Sequence, residues 1–428
     1  MNLFGRDVRH VDQYQLYLFI RAVSAFAFAL IITYELVYHT VEIGLTPLQL
    51  VTVGVVLESM TLLFEVPTGV VADAYSRRLS MLIGLFLVGI GFLVEGVVAT
   101  FTAVLITQVI WGIGFTFYSG AAPAWVTDEI GEEKASQALL RGTQVAQVMG
   151  FMGVAAGALL VGGGLRRPIL IGSLLYFLLG AVAAWYMTEE GFQPAPQLTS
   201  QTILDKMRTP LRDGLQLVRQ RFMLLLILLT SVVIGLYAGG FDRLNAAHFT
   251  GNFTLPSLGV FELVAWFSIF RGIAVAASLI GTEIVRRRLN VNNNVLVAKV
   301  LFWLYGGMII CTMAFALTQW FVVAVICYCL SQSFRNTGRP LLIIWINQNT
   351  VSQVRATVIS LSWQANALGQ ILGSPIIGWI GSAFSVRAAL VAGTAVYTAV
   401  LPLLKFASRH AETELAQPTH SKDNDSKE

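Results

Sequence analysis

Charge is scarce in this chain, and that scarcity excludes most of what a protein of its length might be. Only 12% of the 428 residues are Asp, Glu, Lys or Arg, against 56% hydrophobic, whereas a water-soluble domain carries about 25% charge. No polar stretch is long enough to surround a soluble core. The net charge of +4 does not point to nucleic acid, because Lys and Arg lie scattered between apolar runs instead of forming one basic surface with aromatics. Cysteine is also sparse. Cys311, Cys327 and Cys329 all sit inside apolar runs, where a thiol packs as a small hydrophobe, so neither a disulfide framework nor a thiolate metal centre is expected. The five histidines, His10, His39, His248, His410 and His420, read as lying outside the apolar runs or near their ends. With no nucleophile–base or metal-spaced cluster and no Gly-x-x-x-x-Gly-Lys loop, the chain is not expected to be an enzyme, to be driven directly by ATP, or to carry a cofactor or metal.

What is present is a series of apolar runs, each near the roughly 20 residues that cross a bilayer as a helix. Twelve are placed, at 14–38, 47–71, 80–99, 101–126, 141–163, 168–187, 222–247, 260–284, 295–317, 319–345, 356–382 and 386–407. The first lacks a small-residue cleavage site, so it is expected to stay in the mature protein. The expected fold is an all-α polytopic membrane protein. Short connections make neighbouring helices antiparallel and put both termini on one side of the lipid bilayer. With connections assigned to alternate faces, only Arg166, Arg167 and Arg387 fall on the other side, and the excess of positive charge with the termini makes the terminal side cytoplasmic. A bacterial-type inner membrane and a monomer are the expected setting.

The longest connection divides the chain into a six-helix bundle over 1–190, a linker over 191–221, a second six-helix bundle over 222–407 and a disordered cytoplasmic tail over 408–428. The longest connection, Thr188 to Arg221, opens on "TEEGFQPAPQ", which reads as flexible. It continues with Ile203, Met207, Leu211, Leu215 and Val218, the spacing of an amphipathic helix on the membrane surface. The halves also echo one another weakly: Glu35 aligns with Asp242, Gln147 with Asn366 and Gly150 with Gly369. Two bundles related by an axis along the membrane normal form a transporter architecture, with substrate held between them.

Between the second and third runs stands "PTGVVADAYSRRLSMLIG". Its Gly69, Asp73, Arg77 and Arg78 resemble the signature joining helices 2 and 3 in the major facilitator superfamily, and the twelve-helix layout fits that family along nearly the whole chain. The resemblance implies two bundles rocking about a cavity lined by the first, fourth, seventh and tenth helices, with Asp73 meeting the start of the eleventh helix and Asp128 completing a charge relay. Physically, Gly69 permits close helix approach, Asp73 suits a helix N-terminus, and Arg77 and Arg78 can pair with Asp128 and Glu129. Together these residues form a latch at the cytoplasmic end. Two departures separate the chain from the superfamily's drug and proton antiporters. Gln108 stands where an arginine precedes Gly-x-Gly in helix 4, and the fifth helix has Gly150, Gly153 and Gly157 without a proline.

Charges inside the spans mark the remaining candidates, since each is costly in hydrocarbon. Glu58, near the middle of the second helix, is the first choice for a group that gains and loses a proton, because burial disfavours its charged form; Asp242 and Glu35 follow. Arg21, Gln108, Trp111, Tyr118, Gln332, Arg335 and Trp363 are the candidates for a substrate cavity. The aromatics suit amphipathic small molecules, which gives multidrug-type efflux by antiport with protons, or with sodium in their place. Arg21, Arg335 and Arg339 favour an alternative, uptake of a small anionic or polar nutrient. A receptor that transports nothing is the reading outside that class.

Overall fold

The computed structural model describes residues 11–194, 222–254, 262–288, 293–350 and 355–416. Every described element is a helix or turn. The helices are α1 (Gln13–Val37), α2 (Pro47–Ala74), α3 (Arg77–Val97), α4 (Phe101–Ile130), α5 (Glu132–Leu160), α6 (Arg166–Tyr186), α7 (Phe222–Asn252), α8 (Glu262–Arg288), α9 (Asn294–Leu317), α10 (Phe321–Gln348), α11 (Arg355–Ala383), α12 (Val386–Tyr397) and α13 (Val400–Ala416). The amphipathic segment expected within the linker lies outside the described residues.

Local chemistry sets the boundaries. Asp12 accepts from the Tyr14 N–H at the start of α1, and α2 opens with a capping box in which Thr46 and Gln49 satisfy each other's backbone N–H groups, followed by Pro47 at the first helical position. Ser76 and Thr100 cap α3 and α4 through Leu79 N and Ala103 N. Gly131 closes α4 with φ near 80°, a left-handed conformation that favours glycine.

Among the described residues, ten helical stretches are long and apolar enough to cross a membrane, α12 and α13 counting together as one. The two expected spans outside that set are α10 and α11, which carry the polar runs "SQSFRNTGR" and "SLSWQANALGQ". The twelfth run was expected to be one helix. Its break has a local cause: Pro402 has no N–H to give the Thr398 carbonyl, which accepts from Leu401 N at 3.1 Å instead. Nor does the chain leave the helix at Ser408, where the tail was expected to begin, since α13 runs on to Ala416.

The chain forms two compact units. The first comprises the chain up to Arg208 with Asp242–Ile269 and Ser374–Val386; the second comprises Thr209–Phe241, Phe270–Gly373 and the chain from Arg387. In the first, α1 packs on α5 and α6, and α4 on α2 and α3, around a core containing Tyr38, Phe92, Trp111 and Trp125. Within it, Leu48 N donates to Ser382 Oγ at 2.9 Å. A Cβ on Gly153 would strike the Phe26 carbonyl oxygen, and one on Gly157 the Tyr34 ring, so the small-residue face of α5 seats α1. The second unit repeats this device: a Cβ on Gly369 would strike the Val232 carbonyl, and one on Gly235 the Asn366 carbonyl, where α11 meets α7. Gly369 thus matches Gly153 and Gly157 in packing, whereas a Cβ on Gly150, its partner in the weak internal echo, would come no nearer than 4.0 Å to Ala29.

Candidate functional site

At the end of α1 away from its Asp12 cap, the helix widens into a π turn over Tyr38–Glu42, with Ile43 N bonded to Tyr38 O at 3.0 Å. Turns of this kind often accompany functional sites. Here the turn carries His39, which has no exposure to solvent. His39 Nε2 lies 2.8 Å from Glu95 Oε1 of α3 and 3.9 Å from Glu35 Oε1, one turn earlier on α1. Gln108 of α4 donates from Nε2 to Glu35 Oε1 at 3.1 Å, and the Tyr38 hydroxyl donates to the Glu95 carbonyl at 3.0 Å.

Glu35, Glu95 and Gln108 are all buried. Three polar atoms within this closed group, His39 Nδ1, Glu95 Oε2 and Gln108 Oε1, make no hydrogen bond among the described residues. The cation whose charge reaches Glu35, His39 and Glu95 is Arg243 of α7. Room for it comes from Gly54 of α2, where an added Cβ would lie 3.0 Å from Arg243 Nε.

This group gathers one of the expected coupling residues and one of the expected cavity residues. Glu35 belongs to it, and Gln108, expected in the cavity, is buried against Glu35. Glu58 is not a member of the trio of donor atoms formed by Glu35, His39 and Glu95. Asp242, half-buried, immediately precedes Arg243. His39 was missed, because a histidine at the end of an apolar run reads as a residue outside the span. The signal was its i, i+4 spacing from Glu35, which puts both on one helix face.

The opposite end of the unit holds the α2–α3 motif. Arg77 pairs with Asp128 and donates to the Ala124 carbonyl at 3.0 Å, with Asp73 Oδ1 at 3.6 Å. The expected pairing of Arg78 with the acidic end of α4 is not what the structure contains. Its guanidinium donates to the Ala184 carbonyl of α6 at 2.6 Å, while Glu129 accepts from Thr188 and Gly191. A backbone oxygen at the C-terminus of α6 is itself a favourable seat for a cation. Gly69 was expected to allow close helix contact, yet a Cβ placed there meets no atom of the described residues within 4 Å.

The cavity candidates divide. Trp111 is packed between Phe28 and Phe92, with ring centroids 5.9 and 5.6 Å away. The Tyr118 hydroxyl is buried beside Arg21 and Ser24 without a hydrogen bond of good geometry. Arg21 itself forms no ion pair among the described residues; its Cγ and the Tyr17 ring face Gly142 of α5. In the second unit Gln332 and Arg335 are half-buried on α10, Gln332 Nε2 lying 3.5 Å from the Tyr328 hydroxyl. Trp363 of α11 is largely exposed.

Comparison with known proteins agrees with this architecture. The chain is 22% identical over 348 residues to the uncharacterized MFS-type transporter YxaM of Bacillus subtilis (strain 168), an alignment covering 80% of this chain and 83% of that one. Among solved structures, the nucleoside transporter NupG matches with a TM-score of 0.72 at 14% identity, over 95% of this chain and 100% of that one. A bacterial homolog to the human lysosomal transporter Spinster gives 0.70 at 15%, over 95% and 98%, and the peptide transporter POT in complex with sulfate gives 0.71 at 12%, over 96% of each chain. At these identities the likeness is one of fold. The family model of the Major Facilitator Superfamily matches residues 16–373, most of the chain, and the protein belongs to that superfamily of membrane transporters.

Proposed function

We propose that the protein is a proton-coupled secondary transporter that works by alternating access and exports amphipathic small molecules. In this reading twelve helices cross the cell inner membrane, α12 and α13 forming one span, with both termini cytoplasmic. The segments 1–190 and 222–407 are its two moving bodies, 191–221 links them, and Gly69, Asp73, Arg77, Arg78 and Asp128 latch the cytoplasmic side.

The buried group around His39 carries the coupling argument. In this reading the imidazole between Glu35 and Glu95 is neutral, so that the two carboxylates, with the charge of Arg243 reaching them, carry one surplus negative charge. Removed from water, an uncompensated charge costs several kcal/mol. One bound proton cancels it. The closed arrangement therefore favours the loaded site, and releasing the proton requires the group to open to water. A sodium ion would cancel the same charge, but a hard cation selects oxygen over an imidazole nitrogen.

The test is transport in proteoliposomes of a panel of cationic, neutral and anionic amphiphiles, under an imposed pH gradient or sodium gradient. Accumulation should follow the pH gradient. Glu95→Gln and Glu35→Gln should each abolish that accumulation and leave substrate exchange intact. Full gradient-driven transport in both variants would remove the group from the coupling mechanism and move attention to Glu58 and Asp242.

A second reading, uptake of an anionic substrate, draws support from Arg21, a half-buried cation beside tyrosines with no carboxylate partner among the described residues. The anionic members of the same panel separate it from export of cations.

A further inference from the structure

The segment Thr188–Phe192, which follows α6, is bound to the bundle that precedes it. The Thr188 carbonyl accepts from Trp125 Nε1 at 2.9 Å, and its hydroxyl donates to Glu129 Oε2 at 2.5 Å. Glu189 accepts from Ser76 Oγ at 2.5 Å and from Arg78 N at 2.9 Å, which places its carboxylate on the first turn of α3. Gly191 N donates to Glu129 Oε1 at 3.0 Å, and a Cβ there would strike the Asp128 carbonyl oxygen. Phe192 lies under the Arg77 guanidinium, 5.8 Å from ring centroid to Cζ. Glu190 points outward.

Two carboxylates thus stitch this strap in opposite directions, Glu189 from the strap to α3 and Glu129 from α4 to the strap. Each accepts two hydrogen bonds, of the charge-assisted kind. The N-terminus of α3 carries a partial positive charge and unbonded N–H groups, and Asp73 stands three residues before its Ser76 cap. Glu189 occupies that terminus, through Ser76 Oγ and Arg78 N. Asp73 is left with its side chain about half exposed and 3.6 Å from Arg77.

We propose that Glu189 is a positioning residue of the α2–α3 gate: by occupying the start of α3 it keeps Asp73 presented, and it holds the strap from Thr188 to Phe192 against the bundle. The inference rests on the gate reading of the motif. That reading is tested separately, by whether Asp73→Asn abolishes transport, and neither measurement below depends on a substrate.

The experiment uses the full chain in lipid nanodiscs, with Cys311, Cys327 and Cys329 replaced by Ala and a spin label on Glu190→Cys. The label should be restricted in the parent, mobile in Glu189→Gln and partly restricted again in Glu189→Asp. A label already mobile in the parent, or unmoved by Glu189→Gln, overturns the strap. Competition between the two acids is read from a thermal double-mutant cycle on the unlabelled protein. Asp73→Asn should lower the melting temperature by about 2 °C more in the Glu189→Gln background than in the parent, because there Asp73 has taken over the α3 terminus. Additive shifts would show that Glu189 does not hold Asp73 in place, and would overturn the positioning role.

Discussion

His39 Nε2 and Glu95 Oε1 stand 2.8 Å apart with neither side chain exposed to solvent, so the π turn of α1 is tied to α3 by a polar contact inside an apolar bundle. Removing the imidazole leaves Glu95 without that partner. His39→Ala should destabilise the folded protein by about 1–3 kcal/mol, the cost of an unsatisfied buried acceptor, read from the midpoint of thermal unfolding in detergent. His39→Gln, which keeps a donor, should recover part of the loss.

The latch predicts a loss of function without loss of fold. Asp73→Asn removes a charge and keeps the shape, so it should abolish most transport while expression, membrane insertion and melting temperature stay close to the parent. Normal transport by this variant would eliminate the latch.

Asp128→Asn tests a different part of the same end. Arg77 would keep the Ala124 carbonyl and the Phe192 ring but lose its close carboxylate partner. The pair is partly exposed, so the expected loss is about 1 kcal/mol or less, measured by thermal unfolding. A loss of several kcal/mol would mean that the pair is a structural anchor more than a switch.

How much of this was legible beforehand depended on what kind of information each feature needs. Apolar runs gave the positions of α1 to α9 to within a few residues, because burial in lipid demands length and apolarity together, except at the start of α5, which begins at Glu132 in a polar stretch nine residues before the expected run. The motif from Gly69 to Arg78 was readable because its charges interrupt hydrophobic surroundings. Hydropathy reports burial but not partners, so Gln108 looked like a cavity residue when it is the neighbour of Glu35, and Arg78 looked like a partner for acids when it caps α6. The strap was hidden for another reason: Gly191 and the prolines that follow read as breakers, and nothing local tells a free loop from one held by Glu129 across the bundle. The break between α12 and α13 was accessible in principle, since Pro402 alone removes the donor.

Close packing of α1 on α5 gives a prediction independent of charge. Gly153→Leu places a side chain where the Phe26 carbonyl already stands and should destabilise the protein by about 1–3 kcal/mol or prevent its assembly. Gly369→Leu should do the same where α11 meets α7. Gly69→Ala, with open space around it, should leave the melting temperature unchanged. A harmless Gly153→Leu together with a damaging Gly69→Ala would reverse the assignment of which glycine is structural.

The π turn at Tyr38–Glu42 also fixes how α1 can vary in length. Elsewhere in a regular helix, losing one residue rotates everything beyond it by about 100°, which would turn a buried face toward lipid. A π turn already holds one residue more than a regular helical turn, so a chain shortened at Thr40 can relax to ordinary helix with the residues before and after it still facing as they do now. Glu35 would keep its place beside Gln108, and Glu42 its place beside Arg166. What such a shortened chain forfeits is the wide turn that carries His39 inward: the one tolerated deletion in α1 is also the one that takes the imidazole out of the buried group.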